Sequence, residues 1–355
     1  MEESQFIIFM NLKRVSIICF GMRGKKMASI REVAKLAGVS PSTVSRVMNN
    51  TANVDEEKKK RVLEAIEKTG FKPNELARAL FKQSLKIIGV IVPSIENPFF
   101  NEMARAIEEE AFEKGYRILL CNSNGNVEKE RMNIQMLNQM KADGLIMMAQ
   151  SEKTSQVISE CEMRVVVLDR MINGEKVIAN ISSDNYQGGL TAAEHLRECG
   201  CENIVCMRGP LNASSGKERY RGYQDFCKKY ELDEQCVDSE YSYDEGLRAA
   251  EEIFEKYPSA DGIIASNDMV AISTYKVLQK KGYRVPEDIQ IVGYDNIKFS
   301  KLFTPEITTV RQQIEEMGRL AVQIIISYIT GKEFKKDNTF SVELIRREST
   351  KKKEN

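Results

Sequence analysis

Two groups of residues in this chain have the types and spacing to do specific chemistry. The first is polar and aromatic: Asn97-Pro98-Phe99-Phe100, Asp169-Arg170, Arg219 in Arg219-Tyr220-Arg221-Gly222-Tyr223, Tyr241, Asn267-Asp268, Asp295-Asn296 and Gln312. Most follow short apolar runs that read as β-strands, and in doubly wound sheets ligands bind beyond the carboxyl ends of strands. A hydroxyl both donates and accepts, so a carboxylate, amide or guanidinium can engage two neighbouring hydroxyls while aromatic faces cover C–H patches. Sugars demand that combination. Singly, each group has a plainer reading: Asn97-Pro98 as a turn, Asp169-Arg170 as a surface ion pair, Asp295-Asn296 as a helix cap. Their coincidence at strand ends favours one ligand site, built from Asn97, Phe99, Phe100, Asp169, Arg170, Arg219, Tyr241, Asn267, Asp295 and Gln312.

The second group is Ser40-Pro41-Ser42-Thr43-Val44-Ser45-Arg46-Val47-Met48-Asn49-Asn50. Ser40 caps a helix whose first position, Pro41, lacks only an N–H that would be unpaired anyway. Val44, Val47 and Met48 form the buried stripe, and the other positions are small hydroxyls plus Arg46. Such a helix can approach base edges closely, and an Arg can bond guanine bidentately. Just upstream, Ser29-Ile30-Arg31-Glu32 is a capping box, and Ile30, Val33, Ala34 and Ala37 repeat at i, i+3, i+4, i+7 before the turn Gly38-Val39-Ser40. Two helices joined by a tight Gly-containing turn read as a helix-turn-helix. The pattern alone also suits a three-helix packing module with ordinary surface serines. Net charge is zero, yet residues 27–86 hold 12 Lys+Arg against 7 Asp+Glu, a local footprint for a nucleic-acid partner.

The elements that position these groups fall into two regimes. After the first two helices, Asp55, Glu56 and Glu57 start a third, with Val62, Leu63 and Ile66 inward and Gly70 ending it. Asn74–Leu80, after Pro73, is a helical stretch too short to be stable alone in water. From Lys86 onward strand-like runs (Ile87–Val92, Tyr116–Cys121, Gly144–Met148, Arg164–Leu168, Asn203–Met207, Asp261–Ala265, Ile289–Gly293) alternate with helical patterns (Pro98–Lys114, Glu128–Met140, Gln187–Glu198, Glu245–Tyr257, Met269–Lys281). This alternation implies parallel sheets covered by helices, and about 260 residues of it implies two lobes.

Other chemistries lack their residues. Eight cysteines are scattered without a CxxC pair and the one histidine, His195, sits in an amphipathic helical pattern, so no zinc site is spaced and His195 reads as structural or surface. Scattered cysteines suit buried thiols in a reducing cytoplasm. No acid/base pair stands out for a sugar enzyme. Residues 1–26 carry two apolar runs split by Lys13-Arg14 behind Glu2-Glu3, a poor signal peptide and too short to span a membrane. They read as an extension, disordered or upstream of a working start at Met27.

Ile30-Arg31-Glu32-Val33-Ala34-Lys35-Leu36-Ala37-Gly38-Val39-Ser40, Thr43-Val44-Ser45-Arg46-Val47 and Gly70-Phe71-Lys72-Pro73-Asn74-Glu75-Leu76-Ala77-Arg78-Ala79-Leu80 closely resemble the DNA-binding headpiece of the LacI/GalR family. The resemblance continues to about Ser349 through a core similar to periplasmic sugar-binding proteins, and is nearest to ribose-type repressors. It implies an all-α helix-turn-helix headpiece (27–73), a hinge helix and linker (74–85), and an α/β two-lobed core of two doubly wound parallel sheets. The core's first lobe would comprise 86–184 and 312–342, the second 185–311 and 343–349, with 350–355 as a tail. Ser42, Thr43 and Arg46 would read bases, Ser29, Ser40, Ser45, Asn49 and Arg78 would contact phosphates, and Leu80 would wedge between base steps. Pro41 departs from the hydroxyl or aromatic common at its position. The ten polar and aromatic residues fall on sugar-contacting positions, and purine-binding relatives carry a Trp-containing sequence where Asp169-Arg170 stands. The implied protein is a cytoplasmic homodimeric repressor of carbohydrate-utilisation genes, bound to palindromic double-stranded operator DNA. It needs no cofactor, metal or membrane. Sugar-driven lobe closure would change the spacing of the paired hinge helices. A catabolite-control regulator answering to a phosphoprotein, and a plain sugar-binding protein, are the alternatives; the headpiece argues against the second and Asp169-Arg170 against the first.

Overall fold

The computed structural model describes residues 29–49, 54–71, 84–148 and 153–352, apart from the Asn49 side chain. Arg78 and Leu80 lie outside the described residues. Contacts divide the chain into two units, with the boundary between Phe81 and Lys82.

The first unit contains helices α1 (Ile30–Ala37), α2 (Pro41–Asn49) and α3 (Glu56–Thr69). Each begins where its cap predicts. The Ser29 N–H donates to Glu32 Oε2 at 2.6 Å, and the Glu32 N–H returns to Ser29 Oγ at 3.3 Å. Ser40 Oγ accepts the Thr43 N–H at 3.2 Å, and Asp55 Oδ1 accepts the Lys58 N–H at 3.2 Å. Gly38 ends α1 at φ +64°, a left-handed conformation that costs glycine nothing. Val33, Ala34, Ala37, Val44, Val62 and Ala65 are buried between the helices, with Val47, Met48 and Ile66 packed at the edge. Leu63 departs from its expected inward position: it is 52% exposed. Val62, Ala65 and Ile66 take the i, i+3, i+4 stripe, and residue 63 lies about 100° round the helix from 62.

The second unit is built on two six-stranded sheets. The first comprises β1 (Ile87–Val92), β2 (Arg117–Asn122), β3 (Gly144–Met148), β4 (Val165–Leu168), β5 (Val177–Ser183) and β11 (Asp337–Phe340), in the order β11-β5-β4-β3-β1-β2, all parallel. The second comprises β6 (Ile204–Arg208), β7 (Cys236–Asp238), β8 (Gly262–Ile264), β9 (Gln290–Asp295), β10 (Thr308–Arg311) and β12 (Glu343–Ile345), in the order β12-β10-β9-β8-β6-β7, parallel except for β12. Helices cover the sheets, so central strands such as Val165–Leu168 are buried along their whole length and read as unbroken apolar runs. In chain order the helices are α4 (Pro98–Glu113), α5 (Val127–Gln139), α6 (Thr154–Ser159), α7 (Asn185–Glu198), α8 (Ser214–Lys229), α9 (Tyr243–Lys256), α10 (Asp268–Lys281), α11 (Phe299–Leu302) and α12 (Ile314–Ile329). The chain crosses between the sheets three times: after Ser183, after Arg311 and after Phe340. Among the described residues no helix is long and apolar enough to cross a membrane.

Packing at the C-terminus runs past Ser349, into what the sequence reading assigns to a tail. Thr350 is 5% exposed and bonds both His195 Nε2 and Thr308 Oγ1 at 2.9 Å, and the Lys351 N–H donates to Gln290 Oε1 at 2.8 Å. The physical reason is that the Thr350 hydroxyl satisfies His195, which burial and nearby Arg346 hold neutral by lowering its pKa to about 4. Cys121, Cys161, Cys199, Cys201, Cys206 and Cys227 are buried free thiols. Burial raises those of Cys161 and Cys201 to about 11 and about 12, so neither forms thiolate readily.

Candidate functional site

All ten polar and aromatic residues singled out in the core converge on one cleft, joined there by Ser215. The first sheet's side supplies Asn97, Phe99, Phe100, Asp169 and Arg170. The other side supplies Ser215, Arg219, Tyr241, Asn267 and Asp295, and Gln312 sits on the second crossing between the sheets. Local structure explains each placement. Asn97 caps α4, its Oδ1 accepting the Phe99 N–H at 3.0 Å, which leaves its amide N–H groups for other partners. Phe99 and Phe100 follow as an edge-to-face pair with centroids 5.2 Å apart. Asn267 caps α10 through the Val270 N–H at 2.9 Å and donates to the Tyr241 carbonyl at 3.1 Å. So Asn97 and Asn267 are helix caps as well as lining residues.

Strain marks two of the carboxylates. Asp169 has φ +68°, and Asp295 and Asn296 have φ +106° and +59°, a backbone region that costs a non-glycine residue about 1–3 kcal/mol. The turn at 295–297 is held from behind. Asp268 Oδ2 accepts the Ile297 N–H at 2.9 Å and its Oδ1 accepts the Thr309 hydroxyl at 2.6 Å, while Arg347 reaches Asn296. Burial, and secondly the neighbouring Asp295, raise the Asp268 pKa well above its usual range.

Arg219 is fixed from four directions. It donates to Asn185 Oδ1 at 2.8 Å and to the Ser266 carbonyl at 2.9 Å, stands 3.8 Å from Asp295 Oδ1, and lies 3.6 Å above the Tyr294 ring centroid. Gln312 donates to Asp295 Oδ1 at 2.7 Å. Burial still dominates at Asp295, pushing its pKa up to about 7 against the opposing pull of Arg219 and Gln312. Burial also raises Asp169, with Arg170 and Arg219 opposing. Four buried polar atoms among the lining side chains have no hydrogen-bond partner: Asp169 Oδ1, Arg170 Nε, the Tyr241 hydroxyl and Gln312 Oε1. Leaving such an atom unpaired costs about 1–3 kcal/mol, so each has hydrogen-bonding capacity to offer a donor or acceptor that enters the cleft.

Several contributors escape a reading by motif. Asn185 and Tyr294 hold Arg219 from 34 and 75 residues away, and Ser215 lines the cleft one turn before it. The one available signal is glycine: inside helical patterns, Gly189 and Gly222 mark where α7 and α8 approach closely, and Gly188 marks where Tyr294 packs on α7.

In the first unit, Ser42 and Arg46 are exposed one turn apart on α2, while Thr43 and Ser45 are half-buried beside them. Ser40 Oγ lies 2.7 Å from Ser42 Oγ and 2.9 Å from Thr43 Oγ1, so the three hydroxyls form one polar cluster at the helix start. Ser29 is exposed at the start of α1.

The family model described as bacterial regulatory proteins, lacI family, matches residues 29–74, and the one described as periplasmic binding proteins and sugar binding domain of LacI family matches residues 85–351. The chain is 37% identical to the ribose operon repressor of Halalkalibacterium halodurans over 333 residues, 93% of this chain and 99% of that one. It superposes on the lac repressor dimer bound to operator and the anti-inducer ONPF with a TM-score of 0.82 at 25% identity, covering 91% of this chain and 99% of that one. It superposes also on a periplasmic binding protein/LacI transcriptional regulator from Alkaliphilus metalliredigens complexed with D-xylulofuranose, with a TM-score of 0.68 at 33% identity, covering 75% of this chain and all of that one.

Proposed function

The chain belongs to the lacI family of bacterial regulatory proteins, and from that premise we propose that its effector is a small, free monosaccharide of pentose size held in the cleft between the two sheets. As a family member it is a DNA-binding transcriptional regulator rather than an enzyme. The observation that carries the sugar reading is the set of unpaired buried atoms on Asp169, Arg170 and Gln312, facing a space walled by Phe99, Phe100 and Tyr241. Neighbouring hydroxyls would pair those atoms and engage Asp295 and Arg219, while the ring's C–H faces lie against the aromatics. The ribose operon repressor and the D-xylulofuranose complex among the relatives point the same way.

A ligand touching both sides favours their approach, and the three crossings after Ser183, Arg311 and Phe340 are the places to bend. In a cytoplasmic homodimer on a palindromic operator, that approach couples sugar affinity to operator affinity, and the coupling is reciprocal. Titration calorimetry against D-ribose, D-xylulose, hexoses and their phosphates tests the sugar reading. One site per chain for a free pentose is expected. Failure of every sugar, with binding of a phosphorylated protein instead, overturns it.

The DNA end has its own test. Because Arg46 is exposed, Arg46→Ala should leave headpiece folding intact, yet weaken a selected palindromic operator by roughly tenfold to a hundredfold, the worth of one bidentate guanine contact. Fluorescence anisotropy against operator and scrambled duplex separates the two terms. An equal loss on both duplexes would make Arg46 a phosphate contact.

A further inference from the structure

Arg347 lies just beyond β12, in the segment that returns to the second sheet after the third crossing, and it does not line the cleft. Its side chain is only 5% exposed, and its terminal nitrogens go to the connection between β9 and β10, the stretch that leads away from Asp295. Nη1 donates to Ser300 Oγ at 2.9 Å and to the Ile307 carbonyl at 2.7 Å, and Nη2 donates to Asn296 Oδ1. Ser300 passes the hold on, its hydroxyl donating to the Ile297 carbonyl at 2.6 Å. From the other side Asp268 accepts the Ile297 N–H. Both backbone polar groups of Ile297 are therefore fixed, and so is the Asn296 side chain. These anchors stand next to a strained pair. Asp295 and Asn296 have φ +106° and +59°, and non-glycine residues keep such conformations only where their surroundings over-determine them. Within the connection Asp268 holds one group, whereas Arg347 grips the start, the middle and the end.

We propose that Arg347 is a positioning residue of the effector site: without touching the ligand, its three-point grip on the β9–β10 connection holds Asp295 where the hydroxyls of a sugar reach it. This rests on the sugar reading above and adds to it a residue from the far end of the chain. A guanidinium suits the task because its planar fork donates in several fixed directions at once, which a lysine ammonium on a flexible stem does not. Arg347 also has a second effect, which has to be separated from the first. It opposes the burial and the Asp295 charge that raise Asp268, so removing it strands a buried carboxylate and costs stability whether or not the cleft is involved.

The test separates the two effects with a charge-balanced pair. Full-length wild type, Arg347→Met, Arg347→Lys, Asp268→Asn and the double variant Asp268→Asn/Arg347→Met are compared by thermal melt and by calorimetry with D-ribose and D-xylulose. Asparagine at 268 keeps an oxygen for the Ile297 N–H and an amide for the Thr309 hydroxyl, so it removes the charge without letting go of the turn. Arg347→Met should melt several degrees lower and bind sugar at least about tenfold more weakly. The double variant should regain most of the lost melting temperature, yet bind at least about tenfold more weakly than Asp268→Asn alone. Arg347→Lys, which keeps the charge but not the fork, should melt closer to wild type than the Met variant and still bind at least about threefold more weakly than wild type. The double variant and the Lys variant keep the comparison available if Arg347→Met alone does not fold. A double variant that regains affinity together with melting temperature overturns the proposal, because Arg347 would then only balance Asp268. So does a Met or Lys variant that binds sugar like wild type. Wild-type protein that binds neither pentose overturns the pentose reading and this proposal together.

Discussion

Asp295→Asn is expected to abolish measurable sugar binding and to raise the melting temperature of the ligand-free chain at pH 8. The two effects have opposite signs because Asp295 serves the ligand at the expense of the fold. Burial raises its pKa from 3.8 to about 7, which means that the folded state disfavours the ionised form. The sign follows directly: the stability linked to this group is fully present below about pH 4 and is lost as pH rises through 7. A shift of about three units corresponds to roughly 4 kcal/mol as an upper limit, or several degrees of melting temperature for a core of this size. Asparagine removes the charge, keeps an Oδ1 to accept from Gln312, and tolerates φ > 0 at least as well as aspartate. It loses, however, an ionised acceptor for two hydroxyls, each worth about 1.5–3 kcal/mol, so affinity should fall a hundredfold or more. Melting curves from pH 5 to 8.5 should show wild-type stability falling with pH and a flatter profile for the variant. An Asn variant that melts below wild type at pH 8 would show that the carboxylate is not under strain, and one that binds sugar normally would remove Asp295 from the site.

What could be read from the sequence followed the strength of local signals. Caps at Ser29 and Ser40 combine a side-chain acceptor with a helix start only a few residues away, so the chain states them outright; Asn97 and Asn267 carry the same signal, which a turn or ligand reading of those residues passes over. Long buried strands such as Ile87–Val92 and Gly144–Met148 are continuous apolar runs, and the polar residues just beyond them are easily placed at strand ends. The edge strand Asp337–Phe340 offers no such run: Asp337-Asn338-Thr339-Phe340 pairs through its backbone with Asn180–Ser183 and buries little. Ser214–Lys229 is harder still. Its buried positions are Ser215, Gly216 and Gly222, followed by Tyr223, Phe226 and Cys227 toward its end, so the part that packs by being thin shows no apolar stripe. The supports of Arg219 belong to the same class, because Asn185 and Tyr294 meet it only through tertiary packing. Leu63 fails for the opposite reason, as an apolar residue one position off a stripe that Val62 and Ile66 already fill.

Gly222→Ala should be among the most damaging single methyls in the second unit. Where α7 and α8 cross, a Cβ at 222 would run into the Tyr186 carbonyl oxygen and come 2.6 Å from the Leu190 N. From the other side, a Cβ at Gly189 would run into the Arg219 carbonyl. These are backbone atoms, which cannot rotate aside as a side chain can, so the helices must separate. Alanine's better helix propensity recovers about 1 kcal/mol, while overpacking of this kind costs about 1–3 kcal/mol and more where backbone must shift. Sterics decide the sign, and a net loss of about 2 kcal/mol or more is expected. The consequence reaches the cleft because the crossing is what brings Arg219 on α8 to Asn185 at the start of α7. Parting the helices lengthens that 2.8 Å bond and lifts the guanidinium from the Tyr294 ring, so sugar affinity should fall at least tenfold even in the fraction that remains folded. Gly174→Ala is the matched control, since a Cβ there meets only Val177 Cγ2 at an ordinary 3.6 Å. Urea unfolding and sugar titration of the two variants side by side decide the matter. Equal stability would mean that the close approach of α7 and α8 is not what holds Arg219 in place.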